Sequence, residues 1–441
     1  MNTLKNSIFK ISESFSRESF LGSALFFLVL TSWYILRPVR NEMAVANVNE
    51  LPYLLAAGAI AMLFVNPIYS WLASRSDLRK TVIYCYSFLI SNLIIFLLSW
   101  KVFGLEDSVW LGRIFYIWCN IYSFFVVSIF WVIIINLYRD SKKRAFYGVI
   151  MAGGSLGALF GSEISKRFSN SFNEYGLELF SLSSALFLFF AMLLAIFISS
   201  QSRNKNLIEH ENVGGGSFDG IQNSLKIAEI RNIAIYVWIW TGLMTIQWIT
   251  AIGIVEEWSQ DPARRVWFFA TIEQVISPLV LFVQLFLTNI IIKKFGIRNI
   301  MFLYGCLFLL AYLAYGLIPS IVSVAIVTVV LRIFEYGINK PTRETIFSSF
   351  RKNDRYKSTV FIDTFISRFG DLSGSSFIAV SKLINIASNA APLIAIPLAG
   401  CLSILGIKIS KDLNTKMDRT ESELDSMAVS YTHLRAHETS E

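Results

Sequence analysis

The sequence predicts an all-α polytopic membrane protein, with twelve transmembrane helices arranged as two six-helix bundles. Three observations predict it: long apolar runs, a one-sided distribution of Lys and Arg, and a motif pattern that recurs about half a chain apart.

The first observation is compositional. Of 441 residues 54% are hydrophobic and 16% charged, with 37 Phe and 11 Trp. Soluble domains carry roughly 25% charged residues. A membrane-spanning helix needs ~20 apolar residues. Runs of that kind lie at 20–46, 51–74, 81–103, 109–137, 145–168 and 176–200, then at 230–255, 266–292, 299–317, 321–346, 358–384 and 389–410. Residues 1–19 form an amphipathic segment expected to lie in the interface. No small-residue cleavage site follows the first run, so a cleaved leader is not expected. The bundles are read as 20–200 and 230–411, joined by a cytoplasmic linker at 201–229 that includes the polar, Gly-rich "SRNKNLIEHENVGGGSFDG". Residues 412–441 form a tail. Its last part, "VSYTHLRAHETSE" (429–441), has no apolar periodicity and resembles a translated library adapter, so it is expected to be foreign to the fold.

The second observation sets orientation. Segments on the side of the two termini are rich in Lys and Arg, among them Arg75, Arg79 and Lys80, Lys142, Lys143 and Arg144, and Lys293, Lys294 and Arg298. Segments on the other side hold only Lys101, Lys166, Arg167, Arg264, Arg265 and Lys382. By the positive-inside rule both termini are cytoplasmic. The same rule accounts for the net charge of +8 without nucleic acid as a partner.

The third observation is internal repetition. Arg79 and Arg298 lie in basic loops 219 positions apart, and "RIF" at Arg113 recurs at Arg332, again 219 apart. "GSL" at Gly154 with Ser165-Lys166 matches "GDL" at Gly370 with Ser381-Lys382, both at 216. One duplicated six-helix unit explains all of these.

A charge near mid-membrane costs ~2.5–3.5 kcal/mol on insertion scales, which makes each one a candidate functional residue. In the first span, "SWYILRPVRNEM" places Arg37 and Arg40 on one helix face around Pro38, with Tyr34 and Glu42 nearby. They either snorkel to the surface or face an internal site. In the tenth span Arg332, Tyr336, Asn339 and Arg343 follow a 4, 3, 4 spacing, one polar stripe flanked by Glu335. In the eleventh, Asp363, Ser367 and Asp371 stack at i+4 beside Arg368, which either grips an anion bidentately or pairs with an aspartate. Arg113, Glu163 and Glu273 complete the set, as ion-pair partners or as coupling groups. The expected substrate-binding residues are Tyr34, Arg37, Arg40, Arg332, Tyr336, Asn339 and Arg368, with Arg37 and Arg368 meeting one anion. Glu42, Glu273, Glu335, Asp363 and Asp371 are the coupling or gating candidates. The loops "WLASRSDLRK" (Arg75, Asp77, Arg79, Lys80) and "IIIKKFGIRN" (Lys294, Arg298) resemble gate loops of facilitators and are expected to latch the cytoplasmic side.

Catalysis is not expected. The apolar runs contain no histidine, and Cys85, Cys119, Cys306 and Cys401 show no CxxC spacing, so neither a metal site, a cofactor nor a disulfide is indicated.

"YILRPVRNEM", "GINKPTRETIF" and "YKSTVFIDTFISRFGD" resemble segments of the ATP/ADP-antiporter-like branch of the major facilitator superfamily, over about 20–410. Two parallel six-span repeats are the plan of that superfamily. The resemblance implies a carrier of nucleotides or another phosphorylated anion in a bacterial inner membrane. The matching positions are Tyr34, Arg37, Pro38, Arg40 and Glu42, then Lys340, Pro341, Arg343 and Glu344, then Lys357, Asp363, Thr364, Arg368 and Asp371. Asn41 departs from the aspartate expected there. The alternatives are a proton-coupled carrier of another organic anion and a membrane scaffold or sensor without transport.

Overall fold

The computed structural model describes residues 17–75, 78–104, 108–137, 146–202, 227–348, 350, 358–359, 361–387 and 390–411. The tail, most of the linker and Asp77 lie outside the described residues, as does the side chain of Arg75.

Helices follow one another almost without interruption. In the first half they are α1 (Arg17–Ala46), α2 (Leu51–Arg75), α3 (Leu78–Lys101), α4 (Val109–Leu137), α5 (Phe146–Ser169) and α6 (Glu178–Ser202), with a single turn at Phe172–Tyr175. The second half begins with α7 (Ala228–Trp258). A stretch from Pro262 to Leu317 then forms α8 and α9, divided at Gly296, whose φ of 71° breaks the helix. Helix α10 comprises Ile321–Phe334, Glu335–Asn339 and Lys340–Ser348, α11 comprises Ile362–Ile366 and Ser367–Leu383, and α12 is Ala390–Lys411. No strand occurs among the described residues.

By length and apolar composition eight of these stretches qualify as membrane spans. That is fewer than the twelve counted from the sequence. Pro262–Leu317, with 56 residues, is long enough to cross twice.

Both halves are zipped by the same device. Gly153, Gly157 and Gly161 recur at i+4 on α5 and press against α1, where a Cβ would come within 2.4 Å of the Ser23 carbonyl oxygen, 2.3 Å of that of Phe27 and 2.5 Å of that of Thr31. Small residues at this spacing let two helix backbones touch. In the second half Gly370 and Gly374 of α11 press against α7 in the same way, 2.6 Å from the Trp238 carbonyl and 2.5 Å from that of Gly242. Between the halves, α5 packs on α8, α2 on α11, and α1 on both α7 and α8.

The second half also contains three wide, five-residue-hydrogen-bonded turns, at Val283–Leu287, Glu335–Asn339 and Ile362–Ile366. Each inserts a residue into its helix and shifts the face that follows it. Thr288 on α8 donates its hydroxyl to the Gly337 carbonyl inside one of them.

Candidate functional site

Helix α1 carries Arg37 into the contact between the halves. Its Nε lies 3.2 Å from Glu273 Oε1 of α8. Arg332 of α10 donates to the same oxygen through Nη1. The second oxygen, Oε2, is buried without a partner among the described residues. Tyr34 braces this cluster: Arg37 Nη1 donates to its hydroxyl at 3.0 Å and the guanidinium stands 5.1 Å over its ring. Arg332 lies 5.7 Å over Tyr336, whose own ring is 41% exposed. Pro38 supplies no N–H to the helix, which loosens α1 at the turn bearing Arg37.

One carboxylate thus faces two guanidiniums with side-chain exposures of 18% and 11%, against 3% for Glu273 itself. Burying such charges is tolerable only because they face each other. The three sum to one excess positive charge. Arg40 adds another. It lies 5.2 Å over Tyr116 of α4 and 5.5 Å over Trp248 of α7, with no acid in ion-pair range among the described residues.

Arg368 pairs with Asp371 at 2.8 Å, and Thr245 of α7 donates to that aspartate at 3.0 Å. Both charged residues line a pocket of about 320 Å³ with Gly58, Met62, Asn120 and Ser123. Arg37 does not line this pocket, so Arg37 and Arg368 are each held by a separate acid.

The polar stripe expected on α10 is split. The wide turn at Glu335–Asn339 adds a residue to the helical period, so Arg332 faces Glu273 with Tyr336 beside it, while Asn339 and Arg343 face elsewhere. Asn339 donates to Glu335 at 2.6 Å, Arg343 pairs with Glu335 at 2.9 Å and stacks 4.3 Å over Trp240, and Tyr236 donates to Asn339 at 3.3 Å. That network lies wholly within the second half.

Glu42 meets a residue that sequence reasoning had placed in an edge loop. Arg265 of α8 donates to both its oxygens, at 2.7 Å from Nε and 2.5 Å from Nη2, and also to the Ser259 carbonyl at 2.9 Å. A signal existed: an arginine in the first turn of a helix opposes the helix dipole and needs an anion to hold it there. Tyr116, Trp248 and Thr245 were also missed, since an aromatic or hydroxyl residue inside an apolar run gives no such signal.

Further links join the halves on the face that carries the α1–α2 and α7–α8 turns. Lys166 and Gln274 bond at 3.1 Å, Gln274 donates to Glu163, Asn173 donates to Asp261 at 3.0 Å, and Lys382 donates to the Val48 carbonyl at 3.0 Å. These contacts tie the halves together on that face. Of the gate-loop residues, Arg79, Lys80, Lys294 and Arg298 are exposed, as is Asp363 on its wide turn. No ion pair joins the gate loops among the described residues.

Solved structures share this architecture. The nucleoside transporter NupG superposes with a TM-score of 0.63 at 12% identity, over 89% of this chain and 98% of that one. The POT family transporter PepTSo gives 0.64 at 11% identity, over 91% and 99%. The human organic anion transporter MFSD10 gives 0.56 at 11%, over 89% and 100%. No family model and no curated protein matches the sequence. At such identities the likeness speaks to fold, and the fold is that of the major facilitators.

Proposed function

We propose that this chain is a membrane carrier that moves a small organic anion by alternating access of its two halves. One observation carries the reading: at the contact between the halves Arg37 and Arg332 share a single acid, Glu273, and Arg40 has no acid in ion-pair range among the described residues. A stable scaffold gains nothing from unmatched buried charge, whereas a site that takes an anion in turn from each side requires it. Among the described residues no acid–base or nucleophilic cluster accompanies these arginines.

The finer form is exchange of a phosphorylated anion, nucleotides foremost. It rests on the three motifs that resemble the ATP/ADP-antiporter-like branch, together with the preference of guanidinium for phosphate. The same Lys and Arg asymmetry supports a bacterial inner-membrane location with cytoplasmic termini. A second form is a proton-coupled carrier of another organic anion, in which a carboxyl other than the doubly paired Glu273 takes up the proton.

Uptake into proteoliposomes separates these. Labelled ATP, ADP and sugar phosphates should enter saturably, and uptake should depend on an internal counter-anion. Uptake driven by an imposed pH gradient without counter-anion would select the proton-coupled form. If no anion is taken up by protein that is folded and inserted, the carrier reading fails.

A further inference from the structure

Hydrogen-bond donors short of acceptors collect at one point of the interior. Arg40 Nε, the Tyr116 hydroxyl and Trp248 Nε1 are all buried and none meets full hydrogen-bond geometry, although Arg40 and Trp248 both lie close to the Tyr116 oxygen. They are neighbours, because the Arg40 guanidinium lies over both the Tyr116 and the Trp248 ring. Guanidinium and indole nitrogens can only donate; the phenol oxygen can accept from them, yet it still has one proton of its own to give. Buried groups of this kind are ordinarily satisfied, and one phenol oxygen cannot serve the guanidinium, the indole and its own proton, so the cluster is short of acceptors.

The acids nearby are already engaged. Glu273 holds Arg37 and Arg332, Asp371 holds Arg368 and Thr245, and Glu42 holds Arg265. Of Arg37, Arg40, Arg332 and Arg368, Arg40 is the one left without a carboxylate among the described residues. Its position is also set: the two aromatic faces hold the guanidinium between α4 and α7, one helix from each half.

The cluster sits above the pocket described earlier. Asn120, one turn along α4, donates to the Tyr116 carbonyl at 3.2 Å and lines that pocket. Three residues before Trp248, Thr245 binds Asp371, which lines it as well. Its volume of 320 Å³ is at the small end of ligand sites, which run from about 300 to 1,000 Å³.

We propose that Arg40, Tyr116 and Trp248 form the oxyanion-binding head of the substrate site. They take the carboxylate or phosphate oxygens of a small organic anion whose body extends into the pocket beside Asn120 and Arg368. This rests on the carrier reading above and adds to it the point of anchorage. An anion held there touches α1 and α4 of one half and α7 of the other, so its binding is felt by both.

The test uses the purified full chain, with pyrophosphate and citrate as probes of the phosphate and carboxylate forms. Tyr116→Phe and Trp248→Phe each keep a ring and delete one donor. Each should weaken the better-bound probe by about tenfold, the loss of one charge-assisted hydrogen bond. Without probe, the melting temperature should stay or rise, since a buried unpaired donor has gone. Parent-like affinity in both variants, or a fall in melting temperature with affinity unchanged, overturns the anchorage and leaves the carrier reading standing. A parent that binds neither probe, nor ATP, overturns both.

Discussion

Arg265 holds both carboxylate oxygens of Glu42 although 223 positions separate them in the chain. The pair is buried on both sides, with side-chain exposures of 7% and 2%. It ties α1 to α8 on the face where the halves are linked, and removing one partner leaves the other charge stranded.

Arg265→Gln should therefore destabilise this state by about 3–5 kcal/mol, the usual penalty for breaking a buried pair. Opening of the face should raise the accessibility of Cys119, which is fully buried on α4 one position before the pocket-lining Asn120. Its alkylation rate in membranes is the measurement. An unchanged rate would mean that the pair does not hold this face shut.

Glu273→Gln should leave Arg37 and Arg332 without a counter-charge. The unliganded protein should lose stability, again by about 3–5 kcal/mol. A bound anion should restore more stability to the variant than to the parent, because it substitutes for the missing carboxylate. Thermal melts of both proteins with and without pyrophosphate decide this, and equal shifts would contradict it.

The glycine row on α5 makes a packing prediction. A methyl at Gly157 would stand 2.3 Å from the Phe27 carbonyl oxygen, whereas one at Gly400 meets nothing within 4 Å. Gly157→Ala should cost about 1–3 kcal/mol by forcing α1 and α5 apart. Gly400→Ala should be neutral. Yield and melting temperature of the two purified variants provide the comparison.

Orientation is tested in intact cells. After replacement of the native cysteines by alanine, a cysteine introduced as Gly215→Cys should react with a membrane-permeant maleimide and resist an impermeant one. Labelling by the impermeant reagent would invert the topology read from Lys and Arg.

The helical fold was legible because lipid imposes a simple rule, long apolar runs separated by charged turns. The recurrence of "GSL" and "GDL" was visible as a repeat, but the glycine rows beside it were not read as packing contacts. Within the site Arg37, Glu273 and Arg332 each stood out as an intramembrane charge. Their meeting on one oxygen did not, since it depends on how two halves dock. The stripe on α10 misled for a local reason: a five-residue turn leaves no mark in the sequence, yet it resets the helical phase between Arg332 and Asn339. Tyr116 and Trp248 were hidden by their ordinariness, being two aromatic residues among many.

The placement of the three wide turns has a mechanical consequence. A turn with a surplus residue can pass its slack along the helix by exchanging one carbonyl for the next, so it acts as a joint. Among the described residues such joints occur in α8, α10 and α11 and in none of the first six helices. The two halves therefore differ in stiffness. In the alternating access proposed above, the first half would turn as a block, while the second would bend.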